Sequence, residues 1–420
     1  MPMRHEKSFE MHLGTDLSTS TALPESPASS ELSDATGFYI PEEFLPLAED
    51  PNSLTSKMAA RFGVEPKAFL NWRWHMKNQV TDGAAAAKVL DLKEQESRGF
   101  QELGHLFNAG ITPYYMGLML PRLDEDECPI RLQALPRIEE LKDSLGVADP
   151  LSEVAHSPVR EVVQVYPDRV AFCVAQLCPV YCRYCFRKRR DEEVGLHFNR
   201  AIIDRGIEYI AANPAIRDVL ITGGDSFVAS DAAIESLLER IRAIPHVEII
   251  RFGTRTPVTL PYRVTDRLAK ILAKYHPVFV NTHFNCAEEI TPEATRAVAN
   301  LVNNGIPVGN QAVLLRGVND TPEKMMALCR SLLKIRARPY YVFHPHSVQG
   351  TEHLRVSVRR GMEVMKSLRG NITGMGIPAY IMDTPSGKVP LQHNYMLGVD
   401  GSDLILETIR GGIWREKDVY

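Results

Sequence analysis

Three cysteines lie close together near the middle of the chain. Cys178, Cys182 and Cys185 are spaced C-x3-C-x2-C, and no fourth cysteine follows closely. Three thiolates at this spacing suit a [4Fe–4S] cluster that keeps one iron open to another ligand. A structural zinc site takes four ligands, and a disulfide framework needs paired cysteines in an oxidising compartment. The spacing therefore predicts an iron–sulfur centre, with a stray group of cytosolic cysteines as the alternative.

The amino-acid composition argues against several classes of protein. Lys plus Arg number 48 against 52 Asp plus Glu in 420 residues, a net charge of −4, which is unlike a nucleic-acid or membrane-surface binder. No stretch approaches the roughly 18 apolar residues of a membrane span, and no signal peptide is visible. We expect a cytoplasmic protein. The basic run 187–190 follows the last clustered cysteine, and we expect it to face an anionic cofactor or substrate.

The chain divides into four segments by composition and pattern. Residues 1–36 are rich in Ser, Thr, Glu and Pro, which is typical of a disordered tail. Segment 37–160 is predicted to be mainly helical, with a connecting region from 111 onwards that carries the acidic patch 124–127. Segment 161–365 alternates strands and helices, and 366–420 forms a C-terminal extension.

Six strand-then-helix units follow one another in the third segment. The strands are predicted at 170–174, 218–222, 247–252, 278–282, 308–315 and 340–343. The helical patterns between them are those at 200–212, 231–244, 265–275, 292–304 and 322–335. Such an order predicts an α/β fold with a parallel sheet curled into a partial (β/α)6 barrel. Chemistry in such barrels gathers at the carboxyl ends of the strands.

Polar residues follow each predicted strand, which places them on one rim of the barrel. They are the cysteine run, the turn Gly223, Gly224 and Asp225, and then Arg255, His283, Asp320 and His344. This convergence predicts a single active site at the rim.

The cysteine run resembles the signature of the radical S-adenosylmethionine (SAM) superfamily. The resemblance implies that the open iron chelates SAM and that reductive cleavage yields a 5′-deoxyadenosyl radical. Tyr184, before the last cysteine, matches the aromatic residue near the adenine, and Gly223, Gly224 and Asp225 match the turn at the methionyl end.

A longer resemblance, over about residues 38–415, is to the lysine 2,3-aminomutase family. It is carried by segments such as CRYCFRKRR, TRTPVTLP, VNTHFN, GNQAVLLRGVND and SGKVPLQHNY. It implies that Lys388 forms a Schiff base with pyridoxal phosphate and that Tyr166 and Arg169 lie near this coenzyme. The family's further arginine before the tyrosine is Val165 here, which leaves phosphate binding at that corner less complete.

The same resemblance implies how substrate is held. Arg187 matches the arginine that pairs with the substrate carboxylate, while Asp320 and Asp383 match two acids for a distal ammonium group. The two acids favour a basic amino acid and disfavour glutamate. We expect L-lysine as substrate, with L-arginine as the main alternative because the sequence around His344 and His346 diverges from the lysine enzymes.

Two alternative functions differ in the substrate or in the class of protein. A radical aminomutase acting on a protein-bound lysine is one alternative, and a non-enzymatic binding paralogue is another. We expect a small-molecule amino acid, a reducing electron donor and a homo-oligomer, with no nucleic acid and no membrane as partners. Zinc is not expected, since the last cysteine is Cys329 and the cysteine-rich extension of the zinc-containing aminomutases has no counterpart.

Overall fold

The computed structural model describes residues 40–104, 106–120, 128–188 and 197–418. The predicted tail 1–36, the acidic patch 124–127 and the arginines at 189 and 190 lie outside the described residues. From Ile40 onwards the chain forms one compact unit. The segment boundaries at 160 and 365 stay predictions.

Short helices make up the described chain before the barrel. Their bounds are α1 Leu45–Glu49, α2 Leu54–Arg61, α3 Pro66–Phe69, α4 Trp72–Lys77, α5 Gly83–Ala87, α6 Glu94–Leu103, α7 Pro113–Gly117 and α8 Pro129–Ala134, with 3-10 turns at Glu42–Phe44 and Ile138–Lys142. Helices of this length gain their stability mainly from tertiary packing. Tyr262, between two barrel strands, packs edge-on against Phe44 and Phe69 and joins this helical layer to the barrel.

The barrel is a nine-stranded sheet whose strands are adjacent in chain order. They are β1 Val162–Tyr166, β2 Arg169–Ala175, β3 Asp218–Gly223, β4 Ile249–Gly253, β5 Val278–Thr282, β6 Val308–Val313, β7 Arg338–Phe343, β8 Ala379–Thr384 and β9 Gly387–Pro390. Strands β2 to β8 pair in parallel, while β1 and β9 are antiparallel at the two edges. The predicted α/β partial barrel is confirmed, and β8 adds a parallel strand to the six predicted ones.

Helices cover the outer face of this sheet. They are α9 Arg200–Ala212, α10 Asp231–Arg242, α11 Thr256–Thr259, α12 Asp266–Ala273, α13 Pro292–Asn303, α14 Pro322–Lys334 and α15 Val358–Leu368. The longer ones begin at a residue whose side chain accepts hydrogen bonds from the first turn, as Asn199, Ser230 and Thr321 do. Five of them match the predicted helices to within a few residues.

Each strand of the barrel has two different faces. In β2, Val170, Phe172 and Val174 are buried on the face towards the helices, whereas Arg169 and Cys173 on the other face are partly exposed. Alternation of this kind sends successive side chains to opposite faces. In β2, the face away from the helices therefore carries a charged residue and a cysteine.

A separate sheet lies near the end of the chain. It consists of β10 Met396–Asp400, β11 Asp403–Glu407 and β12 Ile413–Lys417, paired antiparallel. The sequence analysis placed only an extension here. No helix in the described part of the chain combines the length and apolar character that a membrane crossing needs.

Candidate active site

The cysteine loop leaves the carboxyl end of β2. Cys178, Cys182 and Cys185 are all partly buried. The Gln79 side chain holds the start of the loop, because its Nε2 donates to the carbonyls of Cys178 at 2.8 Å and of Pro179 at 2.9 Å. Within the described ranges, no three His, Cys, Asp or Glu side chains are gathered as a metal site. The cluster assignment therefore rests on the spacing of the cysteines and on what surrounds them.

A buried arginine points at one of these thiols. Arg255, just after β4, donates from Nη1 to Sγ of Cys182 at 2.8 Å. Its Nη2 lies 2.6 Å from Oε1 of Glu289, 2.6 Å from Oε1 of Gln133 and 3.0 Å from the Tyr115 hydroxyl. Burial alone would lower the pKa of Arg255, but Cys182 and its other neighbours raise it well above the usual value. A permanent cation thus lies beside a predicted cluster ligand.

Tyr184 and His283 form an aromatic pair next to this arginine. Their rings are nearly parallel, with centroids 5.5 Å apart and an interplanar angle of 14°. The Tyr184 hydroxyl accepts a hydrogen bond from Nδ2 of Asn285 at 2.8 Å. Burial, followed by the Arg255 charge, lowers the pKa of His283 to about 3, so its imidazole is neutral. Its Nε2 is buried and has no hydrogen-bond partner among the described residues.

The turn after β3 packs directly on the cysteine loop. Gly223 has a φ of +124°, and a Cβ on Gly224 would come within 2.6 Å of the Gln176 carbonyl carbon, so side chains are excluded at this contact. The Asp225 carboxylate accepts from the Thr254 hydroxyl and from the Arg255 N–H at 2.8 Å. Asp225 therefore fixes the start of the segment that carries Arg255, in addition to any contact with a cofactor.

Lys388 lies in the hairpin of β8 and β9, and it contacts Tyr166, which lies much earlier in the chain. Its backbone N–H donates to the Tyr166 hydroxyl at 2.6 Å, and the Arg169 guanidinium lies 3.6 Å above the Tyr166 ring. The preceding Gly387 has a φ of +116°, and a Cβ there would lie 2.8 Å from the same hydroxyl. The structure thus joins the three residues that the sequence assigned to the coenzyme.

The Lys388 ammonium group pairs with Asp383. Its Nζ lies 3.0 Å from Oδ1 of Asp383, and the lysine side chain is 37% exposed. Oδ2 of the same carboxylate lies 3.3 Å from Nε2 of His346. Burial would raise the pKa of Asp383, but the contacts with His346 and Lys388 lower it, which keeps the carboxylate ionised. The His346 ring also packs against the Phe186 ring, with ring centroids 4.9 Å apart.

Asp320 does not join this group in the contacts of the described residues. Its Oδ1 accepts from the Gly317 N–H at 3.1 Å in the turn after β6, and its carbonyl accepts from Arg360. Besides Lys388, the partner that the structure gives to Asp383 is His346, for which the sequence predicted only a place in a divergent loop. Its position three residues after β7, on the predicted rim, was the available signal.

The basic residues after Cys185 are paired inside the protein. Arg187 binds both carboxylate oxygens of Glu153, and the Lys188 ammonium lies 2.9 Å from Oε2 of Glu140. Burial would lower the pKa of Arg187, but Cys173 and Glu153 raise it above its usual value. The expectation of a basic run facing an anion is therefore modified, since each described cation of the run already has an acidic partner.

Comparison with known proteins places these residues in a family. The sequence model of the Radical SAM superfamily matches residues 173–329. L-lysine 2,3-aminomutase of Fusobacterium nucleatum is 42% identical over 355 residues, which are 83% of each chain. The L-lysine 2,3-aminomutase of Bacillus subtilis is 42% identical over 83% of this chain and 74% of its own. Glutamate 2,3-aminomutase of Clostridioides difficile is 40% identical over 88% of both.

Proposed function

Because the chain belongs to the lysine 2,3-aminomutase family of radical SAM enzymes, we propose that it moves the α-amino group of a basic L-amino acid to the β-carbon with the help of pyridoxal phosphate. The protein is an enzyme of the isomerase class, as its relatives are, and its family works with a [4Fe–4S] cluster and SAM. The proposal concerns the coenzyme, the substrate and the residues that serve them.

One observation carries the proposal. Phe186, next to the last clustered cysteine, contacts His346, which bonds to Asp383, which pairs with Lys388. The cysteine loop and the candidate coenzyme lysine are thereby linked through two side chains on one rim, although about 200 residues separate them in sequence. A radical source and a carbonyl coenzyme have to be adjacent for the same substrate to meet both.

The residues around the cysteine loop fit a cluster and SAM. Cys178, Cys182 and Cys185 would hold three irons, and bound SAM supplies the radical that removes an unactivated hydrogen. The unpartnered Nε2 of His283 offers a hydrogen bond to an adenine beside Tyr184. Backbone without Cβ at the Gly223 turn leaves room for the methionyl end.

The residues around Lys388 fit pyridoxal phosphate. The coenzyme, when bound, supplies an aldehyde for the lysine amine and an electron-accepting ring. Tyr166 orients the backbone of Lys388 through its hydroxyl, and Arg169 stacks on the tyrosine with its charge near the same corner. Because Val165 provides no charge, Arg169 is the cation that the proposal assigns to the phosphate.

Charge balance supports a cationic substrate. In this structure the ammonium of Lys388 neutralises Asp383. The carboxylate is ionised and accepts an amine as its partner, so a cationic side chain on the substrate would be attracted to it in the same way. Arg187 is proposed for the α-carboxylate and Asp320 for a second contact to the distal group. L-lysine is the first candidate and L-arginine the second, with a protein-bound lysine as a further alternative.

The setting of the enzyme belongs to the same proposal. We propose a small-molecule substrate, a low-potential reductant, a homo-oligomeric assembly and a cytoplasmic location. The closely similar glutamate enzyme from Clostridioides difficile shows that family membership alone leaves the substrate open. The acidic Asp383 is the residue that favours a basic amino acid over glutamate.

The Lys388→Ala variant tests the coenzyme assignment. The wild type, loaded with pyridoxal phosphate, should show the visible absorbance of a lysine–pyridoxal linkage, and the variant should lose it while keeping the absorbance of the iron–sulfur cluster. Lys324→Ala is the matched control, because this exposed lysine donates to the Gly317 carbonyl in the turn after β6, and among the described residues it has no contact with Lys388 or Tyr166. An unchanged linkage absorbance in Lys388→Ala would reject the assignment.

A further inference from the structure

A second residue holds the arginine proposed for the substrate carboxylate. Arg187 Nη2 lies 2.6 Å from Oε1 of Glu153, and Arg187 Nε lies 3.0 Å from Oε2. The two side chains are 14% and 9% exposed, respectively. Paired contacts of this kind fix both the position and the plane of a guanidinium group.

Glu153 is itself held rigidly. Its backbone N–H donates to Oδ1 of Asp149 at 3.0 Å, and its carbonyl accepts from the Ser157 hydroxyl at 2.7 Å. The preceding Ser152 has a φ of +52°, an uncommon conformation for a residue other than glycine. Glu153 therefore lies on a structured turn in the segment before β1.

The pairing uses only one edge of the guanidinium. Glu153 takes the edge formed by Nε and Nη2 of Arg187, and in the described part of the chain Nη1 makes no hydrogen bond that would compete for the other edge. A guanidinium group can bind a carboxylate on each of these two edges. The Nη1 and Nη2 edge thus remains for a second carboxylate.

We propose that Glu153 is a positioning residue that orients Arg187, so that the remaining edge of the guanidinium receives the α-carboxylate of the substrate. This inference rests on the proposed role of Arg187 and adds the residue that makes the role possible. A competing interpretation is that Glu153 occupies the site of the substrate and has to be displaced. The free second edge favours positioning, because no displacement is needed.

The test compares substrate binding with and without the carboxylate. Calorimetry on the enzyme loaded with cluster and coenzyme should measure binding of L-lysine and of 1,5-diaminopentane, which lacks only the carboxylate, or of L-arginine and agmatine if arginine is the substrate. We expect Glu153→Gln to weaken binding of the amino acid on the order of tenfold and to leave binding of the amine unchanged.

A double variant separates positioning from a general structural role. In the Arg187→Gln background, Glu153→Gln should cause no additional loss, because both changes act through one guanidinium group. Glu153→Asp keeps the charge and serves as the milder variant if Glu153→Gln folds poorly. Glu161→Gln is the matched control, since Glu161 is a buried acid that pairs in the same two-contact manner with Arg205, on α9.

Three results would overturn the inference. They are tighter binding of the amino acid by Glu153→Gln, an equal loss for amino acid and amine, or additive losses in the double variant. If the wild type isomerises neither basic amino acid, the proposed function fails instead. The comparison of L-glutamate with 4-aminobutyrate then tests the Arg187 and Glu153 pair on its own.

Discussion

Removing Arg255 should damage both the stability of the protein and its hold on the cluster. In Arg255→Gln, the fully buried carboxylate of Glu289 loses its cation. Loss of one partner of a buried ion pair typically costs about 3–5 kcal/mol. Glu289 keeps hydrogen bonds from the Tyr115 hydroxyl and from the N–H groups of Asn285 and Cys286, so we expect the lower end, about 3 kcal/mol.

The corresponding shift in melting temperature is measurable. An unfolding entropy of about 2.1 cal/mol/K per residue, over roughly 380 residues of the compact unit, gives about 0.8 kcal/mol/K. A loss of about 3 kcal/mol then lowers Tm by about 4 °C. Calorimetry or circular dichroism melting should detect it. Arg255→Gln combined with Glu289→Gln should recover part of the loss, because no unpaired charge remains.

The cluster provides the second readout of the same variant. Arg255 is the donor to Cys182, and losing such an outer partner typically weakens metal binding roughly 10–100-fold. Iron retained after a chelator challenge should fall accordingly. Arg263→Gln is the control, since Arg263 is also buried but pairs with Asp231 away from the cysteines. Its stability should fall while its iron is retained. Melting of Arg255→Gln at the wild-type temperature, or equal retention of its iron, would contradict these two roles of Arg255.

Two further predictions concern the coenzyme corner and the response to acid. Gly387→Ala places a methyl group against the Tyr166 hydroxyl and carries a positive-φ penalty of about 1–2 kcal/mol. We expect it to weaken pyridoxal phosphate binding roughly tenfold at unchanged iron content. An absorbance titration measures this affinity, and an unaltered value would contradict the prediction. Burial would raise the pKa of Glu140, but Arg183 and Lys188 lower it to about 2. The ionised carboxylate therefore stabilises the fold by about 3 kcal/mol at a pH above its ordinary pKa near 4.5, and this contribution disappears as the pH falls towards 2. Glu140→Gln should flatten that acid limb of the stability curve, and an identical limb would contradict the assignment.

The barrel could be predicted from the sequence because local signals agreed with one another. Asn199 and Thr321 stand directly before periodic apolar patterns, and both are helix caps in the structure. The parallel strands are short, apolar on one face and followed by polar residues. The predicted rim is where the structure gathers the cysteine loop, Arg255 and His283.

Other parts of the fold carry weaker local signals. Strands β10 to β12 are largely exposed, as Trp414 and Ile413 show, so no alternation of buried and polar residues marks them. The β8 strand was assigned to the extension because its helix, α15, was not among the predicted ones.

The pairing of side chains across the site could not be predicted. The contacts of Arg187 with Glu153, and of His346 with Asp383, join residues from separate segments of the chain, and their spacing in the sequence contains no signal. Resemblance to the family implied that Asp320 and Asp383 bind the distal group of the substrate together, whereas the contacts of Asp383 in the structure are with Lys388 and His346. Only the three-dimensional fold indicates which charges neutralise each other.

The most direct test is an anaerobic assay of the enzyme reconstituted with iron, sulfide and pyridoxal phosphate and supplied with SAM and a strong reductant. L-lysine, L-arginine and L-glutamate should be offered separately, and the β-amino isomers resolved by chromatography and mass spectrometry. We expect isomerisation of L-lysine, or of L-arginine in its place, with L-glutamate left unchanged. Turnover of L-glutamate alone would contradict the role of Asp383, and no isomer from any of the three would contradict the proposed reaction.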